Sequence, residues 1–239
     1  MKKITIGVIG AGRIGKLHAD NLLAMPGVRL KSIADPYLEP EEWSSRGVIP
    51  TLEPAEIFSD SEVEAVMICS PTPTHAEFTE IAAMAGKHVF CEKPIALDPD
   101  RVRETLDVVE KTGVKLQVGF NRRFDPTFAR VRKAVIDGEI GDVHLVKVIA
   151  RDPSPPPPEY VAESGGMFLD MTIHDFDMVR FLSGSEVEEV QAFGAVLVDP
   201  AIGEAGDVDT AVVTLKLTSG ALAVIENSRK AVFGYDQRL

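Results

Sequence analysis

The chain has 239 residues, 45% of them hydrophobic and 26% charged, a balance that excludes wholly disordered, collagenous or disulfide-framed readings. At about 150 residues per domain, one large domain or two ordinary ones are expected. A formal charge of −12 argues against nucleic acid as a partner, because each phosphate contact draws on a Lys or Arg and the excess here is acidic. Only Cys69 and Cys91 occur, each inside an apolar run; two thiols make no disulfide framework and fit a reducing compartment. The opening MKK leads into a short strand-like run with charges soon after, not into the long apolar stretch and cleavage site of a secretory leader. No apolar run approaches the roughly 18 residues of a membrane span. A cytoplasmic protein without a membrane partner is expected.

In chain order the first half alternates. Ile4–Ile9 is a β-branched run of the kind a buried parallel strand gives. Residues 13–25 carry apolar positions at helical spacing until Pro26-Gly27 stops them. Val28–Ala34, 64–69, 87–91 and 114–119 read as further strands, and 74–85 and 99–111 as helices, the first with Thr74 as its N-cap. Strands separated by helices predict βαβ units and a parallel sheet. Residues 36–50 fit this poorly: their prolines leave little room for a full crossover helix, and Trp43 with its acidic neighbours reads as surface.

The character changes after Gly119. Asp125-Pro126 predicts the start of a helix over 126–137, Gly138 and Gly141 bracket a turn, and 143–150 is a strand. The proline run 154–158 must be an extended loop, since it lacks backbone donors. An apolar helix is expected over 167–183, then strands at 187–198, 208–218 and 221–228 with a turn at 218–220. Helices followed by hairpin-linked strands predict an α+β domain with an open, largely antiparallel sheet. The fold class is therefore α/β: a parallel, doubly wound α/β domain over 1–119 and an α+β domain over 120–239.

Gly10-Ala11-Gly12-Arg13-Ile14-Gly15 is G-x-G-x-x-G, placed between the first strand and the first helix. Gly10 permits the tight turn, Gly12 lets backbone approach a pyrophosphate, and Gly15 lets helix and strand pack closely. The helix N-terminus then offers unpaired N–H groups to the phosphates. Twenty residues after Gly15, Asp35 ends the second strand, where a carboxylate accepts from ribose hydroxyls and repels a 2′-phosphate. NAD is expected, in preference to NADP.

Two clusters can carry chemistry. Cys91-Glu92-Lys93-Pro94 ends a predicted parallel strand, where open α/β sheets bind ligands, and an ammonium there can stabilise a developing alkoxide. An exposed lysine ending a strand, paired with Glu92, fits those residues equally well. The second cluster is Asp170, His174, Asp175 and Asp177 in an apolar helix; at 100° per residue Asp170, His174 and Asp177 share one stripe. A carboxylate one turn from a histidine can fix its tautomer and support acid–base catalysis. A helix cap or a satisfied polar patch is the alternative; a metal half-site would lack the Cys/His cluster that accompanies one. His18, His88 and His144 read as structural or surface, and His75 as a cap at the edge of the cofactor cleft. Arg122 and Arg123 end another strand and suit substrate hydroxyls or a domain-interface ion pair.

Taken together, G-x-G-x-x-G, SPTPTH (70–75), CEKP (91–94), GFNRRF (119–124) and the D-x-x-x-H helix resemble the Gfo/Idh/MocA oxidoreductase family. The stretches 151–182 and 207–239 are similar to its inositol 2-dehydrogenase branch. The resemblance implies NAD-dependent oxidation of a cyclic polyol, myo-inositol to 2-keto-myo-inositol, with a related scyllo-inositol or aldose dehydrogenase, or a non-catalytic NAD-binding sensor, as alternatives. It makes Lys93 the catalytic lysine and Asp170 and His174 the acid–base pair. Arg122, Asp152, Asp177 and Tyr235 line the polyol site. The cofactor falls to Gly10, Gly12, Arg13, Ile14, Gly15, Asp35, Ser70, Thr72, His75 and Glu92, and no metal is expected. A homo-oligomer, tetramer or dimer, is implied through the second-domain sheet. Proteins of this branch run several tens of residues further, so the second domain is expected to be incomplete at its C-terminal end, and 36–50 is shorter than the family's second crossover.

Overall fold

A computed structural model describes residues 2–239; Met1, which opens the MKK segment, lies outside the described residues. The chain divides into two units, the first closing at Gly119 and the second spanning Phe120–Leu239.

The first unit alternates strand and helix: β1 (Ile4–Ile9), α1 (Arg13–Ala24), β2 (Val28–Ala34), α2 (Pro40–Ser44), β3 (Ile49–Thr51), α3 (Pro54–Ser59), β4 (Ala65–Ile68), α4 (His75–Met84), β5 (His88–Cys91), α5 (Pro99–Thr112) and β6 (Leu116–Val118). All strands run parallel in the order β3-β2-β1-β4-β5-β6, so the order reverses between β1 and β4. Such a sheet needs helices on both faces. Val8, Leu30, Ile33 and Trp43 pack on one face, and Ile9, Val66, Ile68 and Val89 on the other.

Two expectations are corrected here. Trp43 is not at the surface but fully buried, with Arg46 stacked 4.8 Å from its ring. The prolines do shorten the crossover, as expected, to the five residues of α2, yet that one turn covers the sheet by inserting its indole. Burying such a side chain is worth about 2–3 kcal/mol, which outweighs the acidic neighbours that suggested surface. Thr74 makes no side-chain cap to α4, because its hydroxyl bonds the Pro71 carbonyl and Ser70 Oγ. The short β3 and α3 had no clear periodicity in the sequence.

The second unit comprises α6 (Pro126–Ile136), β7 (Leu145–Arg151), α7 (Pro158–Ser164), a π-helical turn (Phe168–Thr172), α8 (Ile173–Ser183), β8 (Val187–Ala195), α9 (Pro200–Glu204), β9 (Thr210–Leu217), β10 (Leu222–Ser228) and β11 (Asp236–Arg238). Asp125 caps α6 as predicted, accepting from Thr127 N at 2.8 Å and Phe128 N at 3.2 Å. The sheet order is β11-β7-β10-β9-β8; only β7 and β10 are parallel neighbours, so the sheet is largely antiparallel. Alternate residues Val213, Leu215, Leu217, Ala223 and Ile225 face inward onto Val179 and Phe176 of α8. The proline run is extended only as far as Pro157; Pro158 begins α7, because proline fits the first helical position. The predicted strand 187–198 stops at Ala195, and α9 fills the connection. The π turn corrects the even 100° stripe through Asp170, since a turn closed i→i+5 rotates less per residue.

That connection is held by Asp209, which is fully buried. Its carboxylate accepts from Leu197 N, Val198 N and Asp199 N at 2.8, 2.7 and 2.9 Å. Burial pushes its pKa up, but the three backbone bonds outweigh this and hold it below the ordinary 3.8. Its stabilisation is therefore present above the ordinary carboxylate pKa and lost as pH falls through the lower, folded value. Asp209→Ala is expected to cost about 3–5 kcal/mol in urea unfolding at pH 7, and the deficit should shrink in acid. A loss below about 1 kcal/mol would contradict this role.

Candidate functional site

In the first unit the carboxyl ends of β1, β2, β4 and β5 converge around the glycine-rich turn. Gly10 N donates to Ala34 O at 2.8 Å, and its φ of +95° is one that side chains avoid. A Cβ there would lie 2.5 Å from Ser70 N. One on Gly15 would run into the Gly10 carbonyl, whereas one on Gly12 would meet nothing within 4 Å. Gly10 and Gly15 are thus fixed by packing, while Gly12 borders open space. It is also the N-cap of α1 and supplies no side-chain cap, so the first N–H groups of the helix remain available there, beside exposed Arg13 and half-buried Ile14.

Asp35 completes this cradle. Its Oδ2 accepts from Ala11 N at 2.7 Å and its Oδ1 from Tyr37 N at 2.8 Å. The carboxylate stays half-exposed, with acceptor capacity left for a ribose diol. Ser70 Oγ and Thr74 Oγ1 pair at 2.7 Å, and half-buried Thr72 opens the 3₁₀ turn between them. His75 does not cap α4: it is 2% exposed, with Nδ1 2.7 Å from Pro94 O and Nε2 2.7 Å from Ser70 O. It braces the loop after β4 against the loop after β5. Glu92 Oε1 accepts from His18 Nε2 at 2.7 Å, and Oε2 accepts from Lys93 N at 3.3 Å. A Cβ on Gly119 would lie 2.8 Å from that Oε2, so the β6 end leaves room for the carboxylate. Lys93 is half-buried and precedes a cis peptide bond to Pro94. Neither cysteine is poised as a nucleophile: burial pushes the Cys91 thiol up to about 12 and raises that of Cys69 as well.

The second unit gathers its polar residues around the carboxyl ends of β7 and β10. Asp170, in the π turn, accepts from Tyr160 Oη at 2.9 Å and from Arg229 Nη1 at 3.2 Å. The same Nη1 reaches Asp152 Oδ2 at 3.1 Å. Burial foremost, with the charge of Asp170, raises the Asp152 pKa, and Arg229 opposes the rise. Arg122 pairs with Asp175, which also accepts from Asn227 Nδ2 at 2.7 Å; burial raises the Asp175 pKa despite both. Asp177 turns to Arg123, whose Nε donates to it at 2.8 Å, so Asp170 and Asp177 serve different partners. The His174 ring is half-buried and meets Phe120 edge-on at 6.3 Å. Tyr235 is 76% exposed in this unit. Among the described residues no group of His, Cys, Asp and Glu is arranged to hold a metal, and no helix is long and apolar enough to cross a membrane.

Residues 4–120 match the model of the oxidoreductase family with an NAD-binding Rossmann fold, and residues 128–239 match the GFO/IDH/MocA C-terminal domain. The chain belongs to the Gfo/Idh/MocA oxidoreductase family. It is 52% identical to a myo-inositol 2-dehydrogenase of Thermotoga maritima over 98% of this chain and 71% of the relative. A crystal structure of a putative myo-inositol dehydrogenase from Sinorhizobium meliloti superposes with TM-score 0.95 at 51% identity, covering 98% of this chain and 72% of that one. A scyllo-inositol dehydrogenase from Lactobacillus casei, solved with NAD(H) and scyllo-inositol, gives 0.90 at 34% identity, covering 99% and 72%. The chain is an NAD-binding oxidoreductase, and the open Gly12, the uncapped α1 and Asp35 fit NAD.

Sequence reading missed Arg229, Asn227, Tyr160 and the Glu92–His18 pair. Arg229 and Asn227 lie two residues apart in Asn227-Ser228-Arg229-Lys230 at a strand end, which is the signal that points to them. Gly12→Ala is expected to leave the melting temperature within about 2 °C yet weaken NAD at least tenfold, about 1.4 kcal/mol. Gly15→Ala should lower the melting temperature itself. Calorimetric NAD titration and thermal melts check both, and undiminished NAD affinity in Gly12→Ala would contradict the cradle.

Proposed function

We propose that this oxidoreductase oxidises a cyclic polyol, myo-inositol at one secondary hydroxyl, to the corresponding ketone. The observation that carries the substrate is the 52% identity to a myo-inositol 2-dehydrogenase over 98% of this chain, against 37% and 34% to two scyllo-inositol dehydrogenases. A neutral substrate with many hydroxyls suits clustered carboxylates and guanidiniums, which accept and donate. Such a pocket is assigned to Arg122, Asp152, Asp177 and Tyr235, with Asp177 acting from its pair with Arg123.

NAD, when bound, supplies the acceptor for the hydrogen leaving the carbinol carbon. His174 takes the proton of the reacting hydroxyl as general base. Asp170 orients the imidazole and stabilises its charged form, and Lys93 donates to the oxygen as negative charge develops there. A positioned base of this kind contributes roughly 10²–10⁴ in rate. Gly10, Gly12, Arg13, Ile14, Gly15 and Asp35 hold the dinucleotide, with Ser70, Thr72 and Glu92 at neighbouring strand ends; His75 contributes by bracing two of those loops. The reaction is assigned to the cytoplasm. A homo-oligomer through the second sheet is supported by Leu145, Phe193, Val212 and Leu222, which are 43–68% exposed on one face.

The test is NADH formation with myo-inositol, scyllo-inositol and a panel of aldoses. Turnover is expected to be fastest with myo-inositol, and Lys93→Ala should lower kcat at least hundredfold while NAD still binds. Turnover of aldoses alone would reassign the substrate, and an unchanged kcat would remove Lys93 from the chemistry. Light scattering should give a dimer or tetramer; a monomer would withdraw the assembly.

A further inference from the structure

Arg229 stands outside every role assigned so far. It follows β10, where the parallel pairing with β7 sets Ser228 beside Arg151. Asp152 N donates to Ser228 O at 3.0 Å, and Arg229 N donates to Asp209 O at 2.8 Å. Its backbone is therefore pinned on both sides, and parallel register delivers Asp152 and Arg229 to the same sheet end. The side chain is 3% exposed. Its Nη1 bridges Asp152 Oδ2 at 3.1 Å and Asp170 Oδ2 at 3.2 Å, while Tyr160 holds the other Asp170 oxygen. Asp170 is thus gripped at both oxygens.

A buried guanidinium is a poor stabiliser. Desolvation costs several kcal/mol, and an apolar side chain of similar volume often does as well or better. Here the return is smaller still, because Nε and Nη2 are buried with no hydrogen-bond partner among the described residues. Arg229 spends one nitrogen on two carboxylates and leaves two donors unused. Without it, Asp152 and Asp170 would lose the guanidinium they share, and the negative charge of Asp170 already works against ionisation of Asp152.

From this geometry we infer that Arg229 is a positioning residue for the reaction: it clamps Asp152 and Asp170 together as carboxylates, aiming one at the substrate and the other at His174. The inference rests on the roles proposed above for those two aspartates. It acts through them and needs no contact with substrate or cofactor. The charged and titratable groups at the clamp include Asp152 after β7, Asp170 in the π turn, Tyr160 of α7, the Arg122–Asp175 pair, Asp209, whose carbonyl accepts from Arg229 N, and His174 four residues on from Asp170.

Arg229→Met and Arg229→Lys test it, with NAD affinity, kcat and KM for myo-inositol, and the carboxyl-carbon NMR titrations of Asp152 and Asp170. The Met variant is expected to bind NAD within twofold of wild type while kcat falls, KM rises and kcat/KM drops at least hundredfold. The two carboxyl titrations should move up by about one pH unit or more once the cation is gone. Lysine should recover at least tenfold of the lost kcat/KM. A purely structural role would lower the melting temperature but leave kcat and KM per folded site where they were, even with the titrations moved; that result, or titrations that do not move, overturns the inference. Should the Met variant not fold, Arg229→Gln replaces it with the same expectations. A wild type that oxidises no polyol would refute the proposed reaction, while the titrations, which need no turnover, still decide the clamp.

Discussion

The hydrogen bond from Ala11 N to Asp35 Oδ2, 2.7 Å long, is the contact on which the first unit's chemistry depends. It ties the glycine-rich turn after β1 to the end of β2, so the backbone proposed to hold the phosphates and the carboxylate proposed to hold the ribose are placed by one another. The constraint reaches further, because Gly10 lies against the Cys69–Ser70 backbone and Gly15 against Gly10. No side chain fits at either contact, and the unfilled space falls at Gly12. A parallel sheet whose order reverses between β1 and β4 makes this crevice without further help. Asp35 is the residue proposed to select the dinucleotide that uses it.

The second unit solves a different problem, which is how to hold several aspartates beside an apolar core. Asp170, Asp152, Asp175 and Asp177 each have a guanidinium partner, from Arg229, Arg122 or Arg123. Arginine suits this task, being always charged and offering its donors in a fixed fork. Burial still raises Asp152 and Asp175, so the pairing offsets the desolvation cost only in part. Charges held at such cost are more economically explained by chemistry than by stability, since apolar packing would stabilise the unit better.

What could be read in advance follows the range of the interactions. The parallel strands, α1, α5 and the capped α6 are local patterns of period, glycine, proline and cap, and they were legible to within a residue or two. Trp43 was misplaced because its burial depends on one helical turn docking on a sheet, which no window of sequence reveals. The π turn was invisible because the apolar spacing around Asp170 reads much the same with one residue added per turn. At the site, the glycines and Asp35 stood out through a spacing tied to one ligand. Arg229 did not, because its partners lie 77 and 59 residues away in the chain and only the parallel register of β7 and β10 joins them. His75 was noticed but given the wrong task, since a histidine opening a helix reads as a cap until its ring is seen between two carbonyls.

The most direct test of this account is to measure NAD and NADP affinity for the wild type and for Asp35→Ala by calorimetry. A carboxylate facing the ribose diol predicts that wild type binds NAD at least a hundredfold more tightly than NADP, about 2.7 kcal/mol, and that Asp35→Ala closes most of that gap. Equal affinities in the wild type, or a gap that survives the substitution, would contradict it.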